Sequence, residues 1–194
     1  DITKKIRNKY FDYVIYGSIW RCQDHLQLVL ENYDKKKIVF VDGEEVIVTE
    51  KIHGTSFQIG LLPDDPKFAH EDHFTYEDET GVTHQFFIGS KGLGAQGLCF
   101  KDNEANVNNL YVRAAKKYDL FKKLVAFKKE IIEVNGKIPF NEPIILQGEV
   151  YGAVQDLTYG AKAGEIFFRA FDICFGERTN RRYADDHLFV TALV

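Results

Sequence analysis

With 194 residues, of which 45% are hydrophobic, 14% aromatic and 28% charged, the chain has the composition of one globular domain with a substantial core, which excludes a disordered tail or a fibrous scaffold. A net charge of −4 excludes nucleic-acid binding by bulk electrostatics, so any basic surface must be local. Three widely spaced cysteines, Cys22, Cys99 and Cys174, argue against a disulfide framework; with neither a signal peptide nor an apolar run of about 18 residues, the chain is expected to be intracellular, cytoplasmic and not membrane-bound.

In chain order, residues 1–36 read as an N-terminal extension or connector, with strand formers at Tyr10–Tyr16 and a helix or strand around Trp20 to Leu30. Residues 37–194 read as one α+β catalytic domain. Strands are predicted over 38–49 and 56–62, then at 84–90. The acidic stretches 63–66 and 71–79, with His70, His73 and His84, read as a polar hairpin loop without a closed set of metal ligands. Gly89, Gly92, Gly94 and Gly97 predict a loop around Lys91.

Apolar residues recurring every three or four positions predict one or two helices over 104–134. The basic residues 113–129 fall opposite Leu110, Ala114, Leu120, Leu124 and Phe127, a pattern of a solvated face, and the clusters 34–37 and 178–182 are the other local basic candidates. Asn135-Gly136 and Pro139 to Pro143 break the helix before a strand centred on Glu149. Residues 152–164 form a glycine-punctuated loop, and 167–173 a further strand.

The most informative local pattern is Val46-Ile-Val-Thr-Glu-Lys-Ile-His-Gly-Thr-Ser-Phe57, an apolar strand that delivers Lys51 and turns at Gly54. Lys-x-x-Gly arises by chance roughly once in a chain with this many lysines and glycines, and Lys91-Gly-Leu-Gly94 is a second occurrence. Only the first follows a β-branched strand. A lysine at a strand end is also an ordinary exposed residue; the alternative is a nucleophile held in a pocket. At neutral pH about one free lysine amine in 2,500 is unprotonated, so a nucleophilic lysine needs partial burial or neighbouring cations.

Glu50-Lys-Ile-His-Gly-Thr-Ser-Phe57 resembles the nucleophile motif of covalent nucleotidyltransferases, in the spelling of the phage and RNA-editing RNA ligases. Three further elements resemble the same family in the family's order: Phe86-Phe-Ile-Gly-Ser-Lys-Gly92, Ile144-Ile-Leu-Gln-Gly-Glu-Val-Tyr-Gly152 and Phe167-Phe-Arg-Ala-Phe-Asp-Ile173. Gly-Glu-Val-Tyr-Gly followed by Val154-Gln-Asp-Leu-Thr-Tyr-Gly160 is most similar to a bacterial and protist branch in which an OB-like domain precedes the catalytic one.

The resemblance implies an ATP-grasp-like nucleotidyltransferase domain of antiparallel sheets flanked by helices, and an ATP-dependent ligase for RNA with 5′-phosphate and 3′-hydroxyl ends, including nicked duplex. It implies that Lys51 carries AMP, with magnesium or manganese assisting. The nucleotide-binding set it implies is Glu50, Ile52, His53, Gly54, Ser56, Lys91, Glu149 and Phe171: Glu149 for the ribose, His53 near the phosphates, Phe171 stacked on adenine. Phe171 also fits a core position, alternating with Phe167, Arg169 and Ile173. Lys91 stands where relatives carry arginine, and Ser56 where many carry asparagine.

The family's pattern continues with a Glu-Gly strand and a lysine-bearing strand, neither of which follows Asp172. The chain also lacks methionine. It is therefore expected to be part of a longer ligase. A DNA ligase, a capping guanylyltransferase and a non-catalytic binding module of the same fold are the alternatives.

Overall fold

The computed structural model describes residues 10–12, 42–43, 50–95, 98–135, 141–176 and 182–183. Among them are eight strands and three α-helices: β1 (Tyr10–Asp12), β2 (Thr55–Leu61), β3 (Phe74–Glu77), β4 (Thr83–Ser90), α1 (Lys91–Ala95), β5 (Leu98–Phe100), α2 (Leu110–Lys117), α3 (Leu120–Asn135), β6 (Ile144–Gly152), β7 (Ile166–Phe175) and β8 (Arg182–Tyr183). Six strands form one sheet in the order β3-β4-β2-β6-β7-β8, with every neighbouring pair antiparallel. The remaining pair, β1 and β5, is a separate antiparallel ribbon.

Directly opposed residues share a face, so the registers sort the sheet into two surfaces. On one, Phe57, Ile59 and Leu61 of β2 lie beside Phe86 and Ile88 of β4 and Leu146 and Val150 of β6. All are buried, and Val112, Ala115, Leu124 and Phe127 from α2 and α3 close over them. Burial of each large side chain here contributes roughly 1.5–3 kcal/mol, so this helix-covered face is the main core. The other surface carries a smaller apolar cluster, Phe68, Phe87, Cys99, Ile145 and Cys174, toward one end.

The amphipathic segment 104–134 divides where polar residues cap it. Glu104–Asn106 is a single 3₁₀ turn. Asn109 caps α2 by accepting the Tyr111 backbone N–H at 2.9 Å, and Asp119, at φ 51°, turns the chain into α3.

Three expectations are corrected. Residues 71–79 contain β3, because Phe74 and Tyr76 alternate inward against Phe86 and His84 despite acidic neighbours. Lys91 starts α1 and not a loop, since the Ser90 hydroxyl accepts the Leu93 N–H at 3.3 Å and opens a helical turn. Within the strand expected over 38–49 the described pair Asp42 and Gly43 is a turn, with Gly43 at φ 86°, a backbone conformation that interrupts a strand; the rest of 38–49 and the segment 13–30 lie outside the described residues.

Asp78 fastens the β3–β4 hairpin to α3. One carboxylate oxygen accepts from Thr80 Oγ1 at 2.6 Å; the other accepts from Lys129 Nζ at 2.9 Å and faces His84 Nε2 at 3.1 Å. The Thr80, Lys129 and His84 donors hold its carboxyl far below the ordinary carboxylate range. His73 is a different case. Burial lowers its pKa to about 4, with the Gln85 bond opposing the shift.

An imidazole held neutral binds fewer protons than its unfolded counterpart between pH 6.5 and 4, so stability is present above 6.5 and declines as pH falls through that window. The predicted decline is about 3 kcal/mol. Urea unfolding across these pH values should show this slope in the wild type and lose most of it in His73→Gln.

Candidate active site

The four motif-bearing strands are consecutive in the sheet, and their motif residues lie at one end of it. Here β2 begins, β4 finishes, β6 finishes and β7 begins, as antiparallel pairing requires. The registers align Ser56 with Glu149 and Glu149 with Arg169 across three strands. One rung deeper, Gly89, Gln58, Gln147 and Asp172 form a second row. Both rows lie on the surface opposite the helix-covered core, continuous with the small apolar cluster at its far end.

Lys51 precedes the first rung, in the turn of residues 51–54, and several contacts tie this turn down. Gly54 packs against β6: a Cβ there would stand 2.9 Å from Tyr151 Cβ and closer still to the Val150 carbonyl oxygen. Thr55 Oγ1 and the Tyr111 hydroxyl of α2 share a hydrogen bond of 2.8 Å. The His53 backbone N–H donates to the Tyr159 hydroxyl at 2.6 Å. Glu50, Lys51 and His53 are exposed and Ile52 half-buried. The partial burial expected of Lys51 is therefore absent among the described residues, because the lysine sits beyond the last rung of the sheet.

Glu149 and Ser56 are half-buried, facing the same side from paired positions. The close approach permitted by Gly148 serves a different purpose from the one its place beside Glu149 suggests. The space a Cβ would need is filled by the Phe168 ring, with the Arg169 carbonyl oxygen 2.7 Å away. Phe168 in turn meets Phe57 edge-on at 5.3 Å. Gly148 thus lets the core come up to Glu149 from behind.

Phe171 is placed by a β-bulge. Gln147 pairs with Asp172 and Gly148 with Ala170, so Phe171 is the extra residue of β7. The bulge inverts the alternation, which puts Ile173 on the core side with Leu146 while Phe167 and Arg169 share the side of Glu149. Phe171 is half-buried and is not one of a simple core row with Ile173. Lys91 is exposed, one residue past Ser90, the partner of Phe57.

Sequence reasoning missed Gln58, Gln147, Gln155 and Tyr159. The two amides were detectable as lone polar residues inside apolar runs. Both glutamines are wholly buried; both amide atoms of Gln58 and Oε1 of Gln147 have no hydrogen-bond partner among the described residues. Each such group costs about 1–3 kcal/mol, a cost the fold carries beside Glu149. Of metal donors, no group of three His, Cys, Asp or Glu side chains clusters among the described residues. No helix among them is long and apolar enough to cross a membrane.

An antiparallel sheet with helices packed on one face is an α+β architecture consistent with a nucleotidyltransferase-type ligase domain. Residues 44–193, more than three quarters of the chain, match the family model for RNA ligase. The chain belongs to the RNA ligase family, whose substrate class is RNA. Compared with curated proteins one by one, it matches none.

If the contact at Gly54 fixes the turn, Gly54→Ala must push it off β6. The expected cost is about 1–3 kcal/mol in urea unfolding, whereas Gly92→Ala, with open space around its position, should stay within about 1 kcal/mol.

Proposed function

We propose that the protein is an ATP-dependent RNA ligase working through a lysine-AMP intermediate on Lys51, related to the bacterial and protist branch. The observation that carries this reading is the convergence of all four motif-bearing strands at one end of a single sheet. The Lys51 amine attacks the α-phosphorus of ATP; a nitrogen–phosphorus bond forms, the bond to the β-phosphate oxygen breaks, pyrophosphate leaves with the electron pair and the amine proton passes to solvent. The 5′-phosphate of the RNA then takes the AMP and frees the lysine. Finally the 3′-hydroxyl attacks the activated phosphate and AMP departs.

The residues divide the labour. Half-buried Glu149 accepts hydrogen bonds from ribose hydroxyls, with Ser56 as a neighbouring hydroxyl on the same rung. Phe171, offset by the bulge, covers one face of adenine. Lys91 and His53 lie toward the phosphates, and Glu50 and Ile52 flank the nucleophile. Magnesium or manganese supplies neutralisation of the triphosphate and of the departing pyrophosphate.

Incubation with α-³²P-ATP and magnesium followed by denaturing electrophoresis should label the wild type but not Lys51→Ala, and pyrophosphate should release the label. Equal labelling of the variant, or none of the wild type, would refute the reading. Phe171→Ala should retain labelling but raise the half-saturating ATP concentration roughly 5- to 100-fold through lost stacking; an unchanged concentration would remove Phe171 from the adenine site.

A further inference from the structure

The loop between β6 and β7 reaches back over the nucleophile turn at two points. The Tyr159 hydroxyl accepts the backbone N–H of His53 at 2.6 Å, and Gln155 Nε2 donates to the Gly54 carbonyl at 3.4 Å. The far side of the loop is anchored on α2. Arg113 Nη2 donates to the Gly164 carbonyl at 2.9 Å, and Lys117 Nζ to the Ile166 carbonyl at 2.7 Å. Arg113 and Lys117, four residues apart on one helix face, therefore hold the loop while its middle holds the turn. This departs from a purely solvated basic face.

Tyr159 is also the residue at which the loop carries backbone strain. Its φ is 53°, and Asp119 is the other non-glycine residue with positive φ among the described ones. An aromatic residue in the left-handed region costs of order 1 kcal/mol or more, and glycine would remove that cost. Gly160 follows immediately, at φ 77°. A tyrosine is present at the strained position nonetheless, with its ring edge-on to Tyr151 at 5.2 Å and its hydroxyl on the turn.

We propose that Tyr159 is a positioning residue for lysine adenylation: its hydroxyl fixes the His53 amide, and through it the Lys51 backbone, relative to Glu149. This rests on the lysine-AMP reading above. One neutral hydrogen bond that holds a nucleophile in its attacking geometry corresponds to about a tenfold rate effect. The effect should be confined to steps in which Lys51 reacts. Sealing of a pre-adenylated RNA uses no free lysine amine and supplies an internal control.

The test is single-turnover formation of labelled protein over a range of ATP concentrations, for wild type and Tyr159→Phe, with sealing of pre-adenylated nicked RNA measured in parallel. Tyr159→Phe keeps the ring and its contact with Tyr151 and deletes only the hydroxyl. The expected result is a maximal adenylation rate about tenfold lower, with half-saturating ATP and the sealing rate each within about twofold of wild type. A full adenylation rate overturns the proposal, and so does an equal fall in both reactions, which marks general damage. If Tyr159→Phe fails to melt cooperatively, Gln155→Met, which cuts the longer tie, must lower adenylation selectively by about two- to threefold or the proposal fails. Absence of label on the wild type instead refutes the lysine-AMP reading on which it rests.

Discussion

Gly54 lies against β6 so closely that even a methyl group there would collide with the backbone of Val150 and the side chain of Tyr151. This contact transmits the register of the sheet to the turn carrying Lys51. Thr55 enters the ladder opposite Val150 and Ser56 opposite Glu149, so the distance along the chain from lysine to ladder is short and its starting point fixed. Tyr111 and Tyr159 hold the two residues flanking Gly54. The motifs, separated by tens of residues in sequence, share one sheet end because antiparallel pairing brings the start of one strand beside the end of the next.

In the proposed reading the same sheet separates stability from chemistry. Its helix-covered face is close-packed with Phe57, Ile59, Leu146 and the apolar sides of α2 and α3; that face stabilises the strands whose opposite surface is polar. On the polar side the fold accepts features a purely structural sheet would avoid: the buried Gln58 amide and Gln147 Oε1 without partners among the described residues, a bulge, and a tyrosine with positive φ beside the turn. Such departures from local preference concentrate at functional sites, where the rest of the structure offsets their cost. Here they lie at Gln58, Gln147, Phe171 and Tyr159, in or beside the strands of the proposed site.

The strands at 55–61, 83–90, 144–152 and 166–175 were legible in the sequence because each combines β-branched or aromatic residues with turn-forming neighbours. The family was legible through the order of the motifs that carry Lys51, Lys91 and Glu149, and the family match covers that whole region; the roles of these residues belong to the proposal. Other features depend on tertiary contacts. The acidic residues around Phe74 disguised a strand that exists through pairing with Phe86, and the glycines after Lys91 disguised a helical turn begun by Ser90. The bulge at Phe171 follows from unequal residue counts on two paired strands, and strict alternation conceals it. Tyr159 lies 106 residues from its partner His53, a separation no local pattern spans.

The most direct test of this arrangement is a crystal structure of the protein after incubation with ATP and magnesium. The account predicts AMP bonded to Lys51 Nζ at the end of the sheet, its ribose hydroxyls within hydrogen-bond distance of Glu149, its adenine against Phe171 and the Tyr159–His53 bond intact. Nucleotide bound elsewhere, or an adenylated Lys51 whose AMP points away from Glu149 and Phe171, would contradict it.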